Sequence, residues 1–300
     1  MILERGPFTP QPTGGPGITR FATRGNHRLS YESVGDAAAT PVLALHDLLA
    51  DRGQVRSLAE PPRDALFRLT LPDARGHGAS PMLSGRTYPP SELAADALAV
   101  LDAEGSEHTH LVAIGWGAAT ALALAATAPK RVVSLVLAAP YLPALVAGSP
   151  DTAARQTGSA HLEMMQEAAD LAEKGQMDRA LDLFLGSRIG ADWRDRFSKP
   201  RLGAIRRSAG NLAPLLVGTI SPLSPDALDS LDMPVVLLVR DDAEVLERVT
   251  VETLASLLPR TRVTTLPPQS HDQLASGSGW TEAIVAALLG RSALTPTPSP

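Results

Sequence analysis

The stretch HTHLVAIGWGAATALALA, residues 108–125, decides the fold. Leu111, Val112, Ala113 and Ile114 form a short, uninterrupted apolar run, as expected of a parallel strand buried on both faces. Gly115-Trp116-Gly117 breaks the run, and the alanine-rich segment behind it has no polar face. A buried strand turning sharply into a buried helix is the expected geometry.

Outward from this turn, strands and helices alternate. Residues 18–24 and 27–34 flank Gly25-Asn26, a dipeptide suited to positive φ, and read as an antiparallel hairpin. Apolar strands follow at 41–45, 66–71, 132–138, 234–239 and 262–266. Helices are expected within 50–65, at 91–101 with Ser91 as a cap, after the Gly115 turn, and at 244–258 and 280–289. Such alternation implies a mostly parallel sheet with helices on both faces, an α/β architecture.

Residues 145–225 break the alternation. Leu162, Met165, Ala169 and Ala172 recur at helical spacing, as do Met177, Leu181 and Phe184, so this stretch reads as an inserted helical lid. An ordinary helical layer with its own small core fits the pattern equally. Met164, Met165 and Met177 are suited to an adaptable pocket, although core filling is the better expectation. The remaining parts are a flexible leader at 1–17, a core domain formed by 18–144 with 226–292, and a disordered tail at 293–300.

Composition excludes several classes of function. The net charge of −5, from 27 Lys and Arg against 32 Asp and Glu, comes with no basic cluster, so nucleic acid is not an expected partner. No cysteine is present, which removes thiol nucleophiles and thiolate metal sites. His108 and His110 make too few ligands for zinc, and neither a metal nor a cofactor is expected. The apolar stretch beyond Leu111 is long enough to raise a membrane span, but Gly115 and Gly117 argue for a buried core. A cytoplasmic protein is expected.

The turn at Gly115 has the setting of a nucleophile elbow, where G-x-S-x-G lifts a serine above the end of a sheet. Here Ala113 takes the first glycine, Gly115 the serine and Gly117 the second glycine. The bend is kept and the attacking hydroxyl is absent. With Asp73-x-Arg75-Gly76-His77-Gly78-x-Ser80 and His46-Asp47 after the third strand, the order of motifs over about 18–292 resembles the α/β-hydrolase superfamily.

The resemblance implies site residues. His271 matches the family histidine and Asp242 the acid, with Asp241 as its neighbour. The backbone N–H groups of Leu48 and Trp116 match the oxyanion hole. Asp47 replaces a family glycine, which puts a carboxylate beside that hole. His46, Asp47, Trp116 and Tyr141 are candidate contacts for a small organic ligand, whereas Asp73, Arg75, His77 and Ser80 read as a structural turn. For Asp47 the plain alternative is a hydrogen bond to loop N–H groups at a helix start. For Trp116 it is core packing.

Three functions fit. In the first, a catalyst without a nucleophile directs a proton transfer, elimination, rearrangement or cyclisation, with His271 moving the proton and Asp242 orienting it. The second is a pseudo-hydrolase that binds a small molecule or a protein. The third is a weak hydrolase using His271-activated water, disfavoured because triad loss leaves only about 10³ to 10⁴-fold catalysis over water. The sequence favours the first narrowly over the second, and is silent on the oligomeric state.

Overall fold

A computed structural model describes residues 18–290, apart from 61–62, 83–86, 221–222, 271–272 and 278. The leader at 1–17 and the tail at 293–300 lie outside the described residues, as does His271.

The strands are β1 (Ile18–Arg24), β2 (His27–Val34), β3 (Thr40–Leu45), β4 (Phe67–Pro72), β5 (Thr109–Ile114), β6 (Val132–Ala138), β7 (Val235–Arg240) and β8 (Thr261–Leu266). They form one eight-stranded sheet in the order β1-β2-β4-β3-β5-β6-β7-β8. The β1–β2 and β2–β4 pairings are antiparallel; all others are parallel.

The continuous apolar runs of the central strands are explained by their two faces. Leu43, Leu111, Ala113, Leu135 and Leu237 point into one core layer. Their alternates Val42, Ala44, Val112, Ile114, Val136 and Leu238 point into the other.

The first layer is covered by α1 (Pro90–Ala103) and α2 (Gly117–Thr127). After β6 come α3 (Pro143–Ala147), α4 (Thr152–Glu173), α5 (Met177–Ile189), α6 (Trp193–Arg196), α7 (Lys199–Ser208), α8 (Leu212–Thr219) and α9 (Pro225–Asp229). Next, α10 (Val245–Leu257) packs on the first layer and α11 (Trp280–Leu288) on the second.

Two local expectations differ from the structure. The described residues of the segment 50–65 form no α-helix; they make short 3₁₀ turns at Arg52–Gln54, Arg56–Ala59 and Arg63–Ala65. The Asp51 carboxylate accepts from the Gly53 N–H at 2.9 Å, a local bond that favours a tight turn over a continuing helix. Ser91 does not cap α1, because Pro90 takes the first helical position, where its fixed φ and missing N–H cost nothing.

Among the described residues, the helices between β6 and β7 pack into clusters shared with the rest of the chain. Met165, Ala168, Phe184, Leu185, Leu212 and Leu216 share one buried cluster with Leu48, Leu49, Tyr88, Leu93 and Trp116, which belong to the sheet layers and their loops. Met165 is fully buried in that cluster, and Met164 and Met177 pack against it.

Candidate functional site

The site is built where β3 and β5 end side by side. Leu45 of β3 pairs with Ala113 of β5, so the loop after each strand emerges at the same edge. Gly115 sits in the β5 turn at φ 54°, a left-handed conformation that L side chains rarely adopt. Its N–H donates to the Ala138 carbonyl at 2.9 Å, and its carbonyl accepts from the Tyr141 N–H at 3.1 Å. The turn is therefore fixed by the end of β6 and the chain just beyond it. Behind it, a Cβ on Gly117 would lie 2.8 Å from the His46 carbonyl oxygen, so close packing of α2 on the β3 loop needs glycine there.

The space above Gly115 is filled by Asp47. A Cβ built on Gly115 would stand 2.5 Å from Asp47 Cγ, well inside van der Waals contact. One oxygen, Oδ1, accepts from the Leu48 N–H at 2.8 Å and from the Trp116 N–H at 2.8 Å. These are the two donors that the family resemblance implies for an oxyanion hole, and an internal carboxylate takes both. Asp47 is 1 % exposed, so its charge must be met by protein.

The counter-charge comes from a residue that the sequence reading did not single out. Arg188, near the end of α5, places Nη2 3.2 Å from Asp47 Oδ2 and 3.5 Å from Oδ1. Its guanidinium lies 4.1 Å from the centre of the Tyr141 ring and 5.4 Å from that of Phe184. Arg188 is itself 6 % exposed. The two amides and the guanidinium surround the carboxylate with charge-assisted donors.

Other contacts from the segment after β6 reach this loop and the turns after β4 and β5. Arg201 of α7 donates to the Leu48 carbonyl at 3.0 Å, and Arg207 pairs with Asp51 at 2.7 Å. Asn211 donates to the Gly76 carbonyl at 2.9 Å. Trp116 packs inward, 2 % exposed, with its indole N–H on Thr219 Oγ1 of α8 at 2.6 Å. It is part of the buried cluster, and it also lines a small internal cavity with His46, Asp73 and Gly117.

The two buried histidines hold loops. The His77 Nε2 accepts from the Leu49 N–H at 3.0 Å, and the His46 Nε2 accepts from the Ala74 N–H at 2.9 Å. In each ring Nδ1 then carries the proton and donates to a carbonyl, that of Arg75 for His77 and that of Asp47 for His46. Burial lowers the affinity of His77 for a second proton to a pKa of about 3, aided by neighbouring His46. Burial likewise lowers that of His46. In the same turn, Arg75 Nε donates to Asp96 at 2.8 Å and Arg52 pairs with Asp73 at 2.7 Å.

Asp242 stands apart from this cluster. It is exposed and makes no hydrogen bond or ion pair among the described residues. It lines a cavity of about 450 Å³ together with Arg188, Arg196, Arg240, Glu244 and Gln269. Ser270 and Gln273, on either side of the undescribed His271, line it too. Tyr141 is buried, and its hydroxyl has no protein partner among the described residues. Burial pushes its pKa up to about 12, Arg188 opposing and Asp47 adding to the shift. No group of three metal-ligating side chains occurs among the described residues.

Comparison with known proteins agrees with this architecture. Residues 40–187 match the family model described as alpha/beta hydrolase fold. A hydrolase structure from Pseudomonas aeruginosa superposes with a TM-score of 0.72 at 21 % identity, covering 92 % of this chain and 100 % of that one. The enol-lactonase of Burkholderia xenovorans gives 0.70 at 18 %, covering 90 % and 98 %. These show that the chain has the α/β-hydrolase fold. A dihydrolipoyllysine-residue acetyltransferase component of the acetoin cleaving system from Cupriavidus necator is 34 % identical over 122 residues, 40 % of this chain and 32 % of that protein. The chain spans 32 % and 41 % of the lengths of the first two curated relatives it matches. No helix among the described residues is long and apolar enough to cross a membrane.

Proposed function

We propose that this chain is a pseudo-hydrolase: it keeps the superfamily's site geometry, has no acyl-transfer chemistry, and binds a small organic molecule through the cavity beside Arg188. One observation carries the reading. The Asp47 carboxylate accepts both Leu48 and Trp116 N–H groups over a Gly115 that offers no hydroxyl.

Magnitudes support it. Loss of a nucleophile removes about 10⁶ in rate from a serine hydrolase, and loss of one oxyanion donor a further 10² to 10³. A fixed negative charge in the hole is worse than a missing donor, because it repels the alkoxide that the hole exists to stabilise. The proton-transfer reading used the same two amides for a substrate carbonyl and Asp242 to orient His271. Both amides are engaged internally, so binding needs fewer assumptions.

The test is ester hydrolysis and fluorophosphonate labelling of four proteins. The unaltered chain and Gly115→Ser are expected to be inactive and unlabelled, the latter because a Cβ at 115 meets Asp47. Asp47→Gly alone is expected to stay inactive. Asp47→Gly with Gly115→Ser frees the hole and supplies the hydroxyl together, and labelling is expected in this protein alone. Turnover by the unaltered chain that disappears on Asp47→Gly would refute the proposal.

A further inference from the structure

The group that fills the hole indicates what the hole binds. Among the described residues, three donors from separate elements converge on one carboxylate: the Leu48 N–H after β3, the Trp116 N–H at the start of α2, and the Arg188 guanidinium of α5. The two amides meet one oxygen at 2.8 Å each, and the guanidinium lies nearer the other at 3.2 Å. The receptor is therefore built for a planar anion with two oxygens, and it is nearly closed to water. Tyr141, on whose ring that guanidinium stacks, adds a buried hydroxyl with no protein partner among the described residues.

Arg188 also lines the cavity of about 450 Å³ that holds Gln269, Ser270 and Gln273. One side chain is thus shared between the internal carboxylate and the space a ligand would enter. Its contact with Asp47 is through Nη2 alone, and so is less than the two-pronged pairing that guanidinium and carboxylate can form.

We infer that Leu48, Trp116 and Arg188 form a carboxylate-binding site in which Asp47 is a tethered, displaceable occupant, and that a small carboxylic acid entering by the shared cavity takes its place. This inference rests on the reading of the chain as a small-molecule binder, and names the class of molecule. A tethered competitor acts at an effective concentration on the order of millimolar or above, so an external acid binds the unaltered chain weakly. The tether sets that affinity: removing the side chain at 47 removes the competitor and leaves the donors.

Formate, acetate and inorganic phosphate, titrated at constant ionic strength and followed by amide ¹H–¹⁵N shifts and by calorimetry, test the inference. In the unaltered chain acetate is expected to shift the Leu48 and Trp116 amides and the Arg188 side-chain resonance saturably. Asp47→Gly is expected to bind formate or acetate about tenfold more tightly or better. Arg188→Gln in that background is expected to lose about tenfold or more. Phosphate, being tetrahedral, is expected to bind less well than acetate. Absence of saturable shifts in the unaltered chain overturns displacement, and does so even if Asp47→Gly fails to fold. Equal affinity with and without Asp47, or tighter binding of phosphate, overturns the assignment. These readouts do not involve turnover, so a failure here leaves the absence of acyl transfer to be judged by the labelling experiment alone.

Discussion

At the scale of single residues, Gly115 and Asp47 form one unit. Each makes sense only with the other: a side chain at 115 has no room while Asp47 fills the hole, and Asp47 has room only because 115 is bare. Gly115→Ala is therefore expected to be far more damaging than Gly105→Ala. Both have positive φ, but a Cβ at Gly105 meets nothing within 4 Å. The second change should cost about 1 to 2 kcal/mol of backbone strain, and the first several kcal/mol more from overpacking. Denaturant melts of the two variants check the difference, and equal costs would deny the close contact. Part of this was legible in the sequence. The missing hydroxyl and a carboxylate beside the hole follow from motif positions, whereas the side-chain direction of Asp47, which determines what that carboxylate does, does not.

His77 sets a pH dependence at the same scale. Its folded pKa, about 3, lies below its ordinary 6.5, so between these values the unfolded chain binds the extra proton and the folded chain does not. Its contribution is complete above about pH 6.5 and is lost as the pH falls toward 3. The unaltered protein is expected to lose stability over that interval. His77→Gln should be less stable at neutral pH, with a shallower acid limb, in melts recorded at several pH values.

At the scale of elements, α5 and α7 clamp the loop after β3. Arg188 holds Asp47, Arg201 holds the Leu48 carbonyl and Arg207 holds Asp51. The Arg188 pair is buried, so breaking it from one side leaves an uncompensated charge. Arg188→Met is expected to cost about 3 to 5 kcal/mol. Adding Asp47→Asn removes that charge, and the double variant should be less destabilised than the sum of the singles, by an amount a double-mutant cycle reads directly. Additive costs would mean the two side chains do not interact. Hydrogen exchange of residues 46–51 should rise in Arg188→Met more than exchange in β5.

Arg188 left a trace in the sequence that the helical periodicity makes visible in retrospect. Met177, Leu181 and Phe184 are spaced by four and three residues, and a further step of four lands on Arg188. A charge on the apolar stripe of a helix needs a buried partner. Periodicity marks such a residue as unusual but gives no distance to a partner 141 positions earlier. The missed 3₁₀ turns at 52–65 have a similar origin, since local bonds such as Asp51 to Gly53 compete with helix on small energy differences.

At the scale of the molecule, the sheet was readable because strands buried on both faces leave continuous apolar runs, and the elbow glycines mark where one of them turns. A mostly parallel sheet with helices on both faces came from the alternation of elements, but the order of its strands did not. The relation of the helical insertion to the rest did not, because its apolar stripes fit a separate core as well as a shared one. The buried cluster joins Phe184, Leu212 and Leu216 to Leu48, Leu49 and Trp116, and the arginines reinforce that junction. One cooperative thermal transition is therefore expected in calorimetry, and residues 145–225 expressed alone are expected to remain unfolded. Two separated transitions would indicate an insertion that folds by itself.

Occupation of the oxyanion hole from within is the claim on which the rest depends, and scalar coupling across hydrogen bonds reads it most directly. In deuterated, isotopically labelled protein, the amide nitrogens of Leu48 and Trp116 are both expected to couple to the side-chain carboxylate carbon of Asp47. Both couplings should vanish in Asp47→Gly. Sharp, assigned amides at 48 and 116 with no coupling to that carbon in the unaltered protein would contradict it.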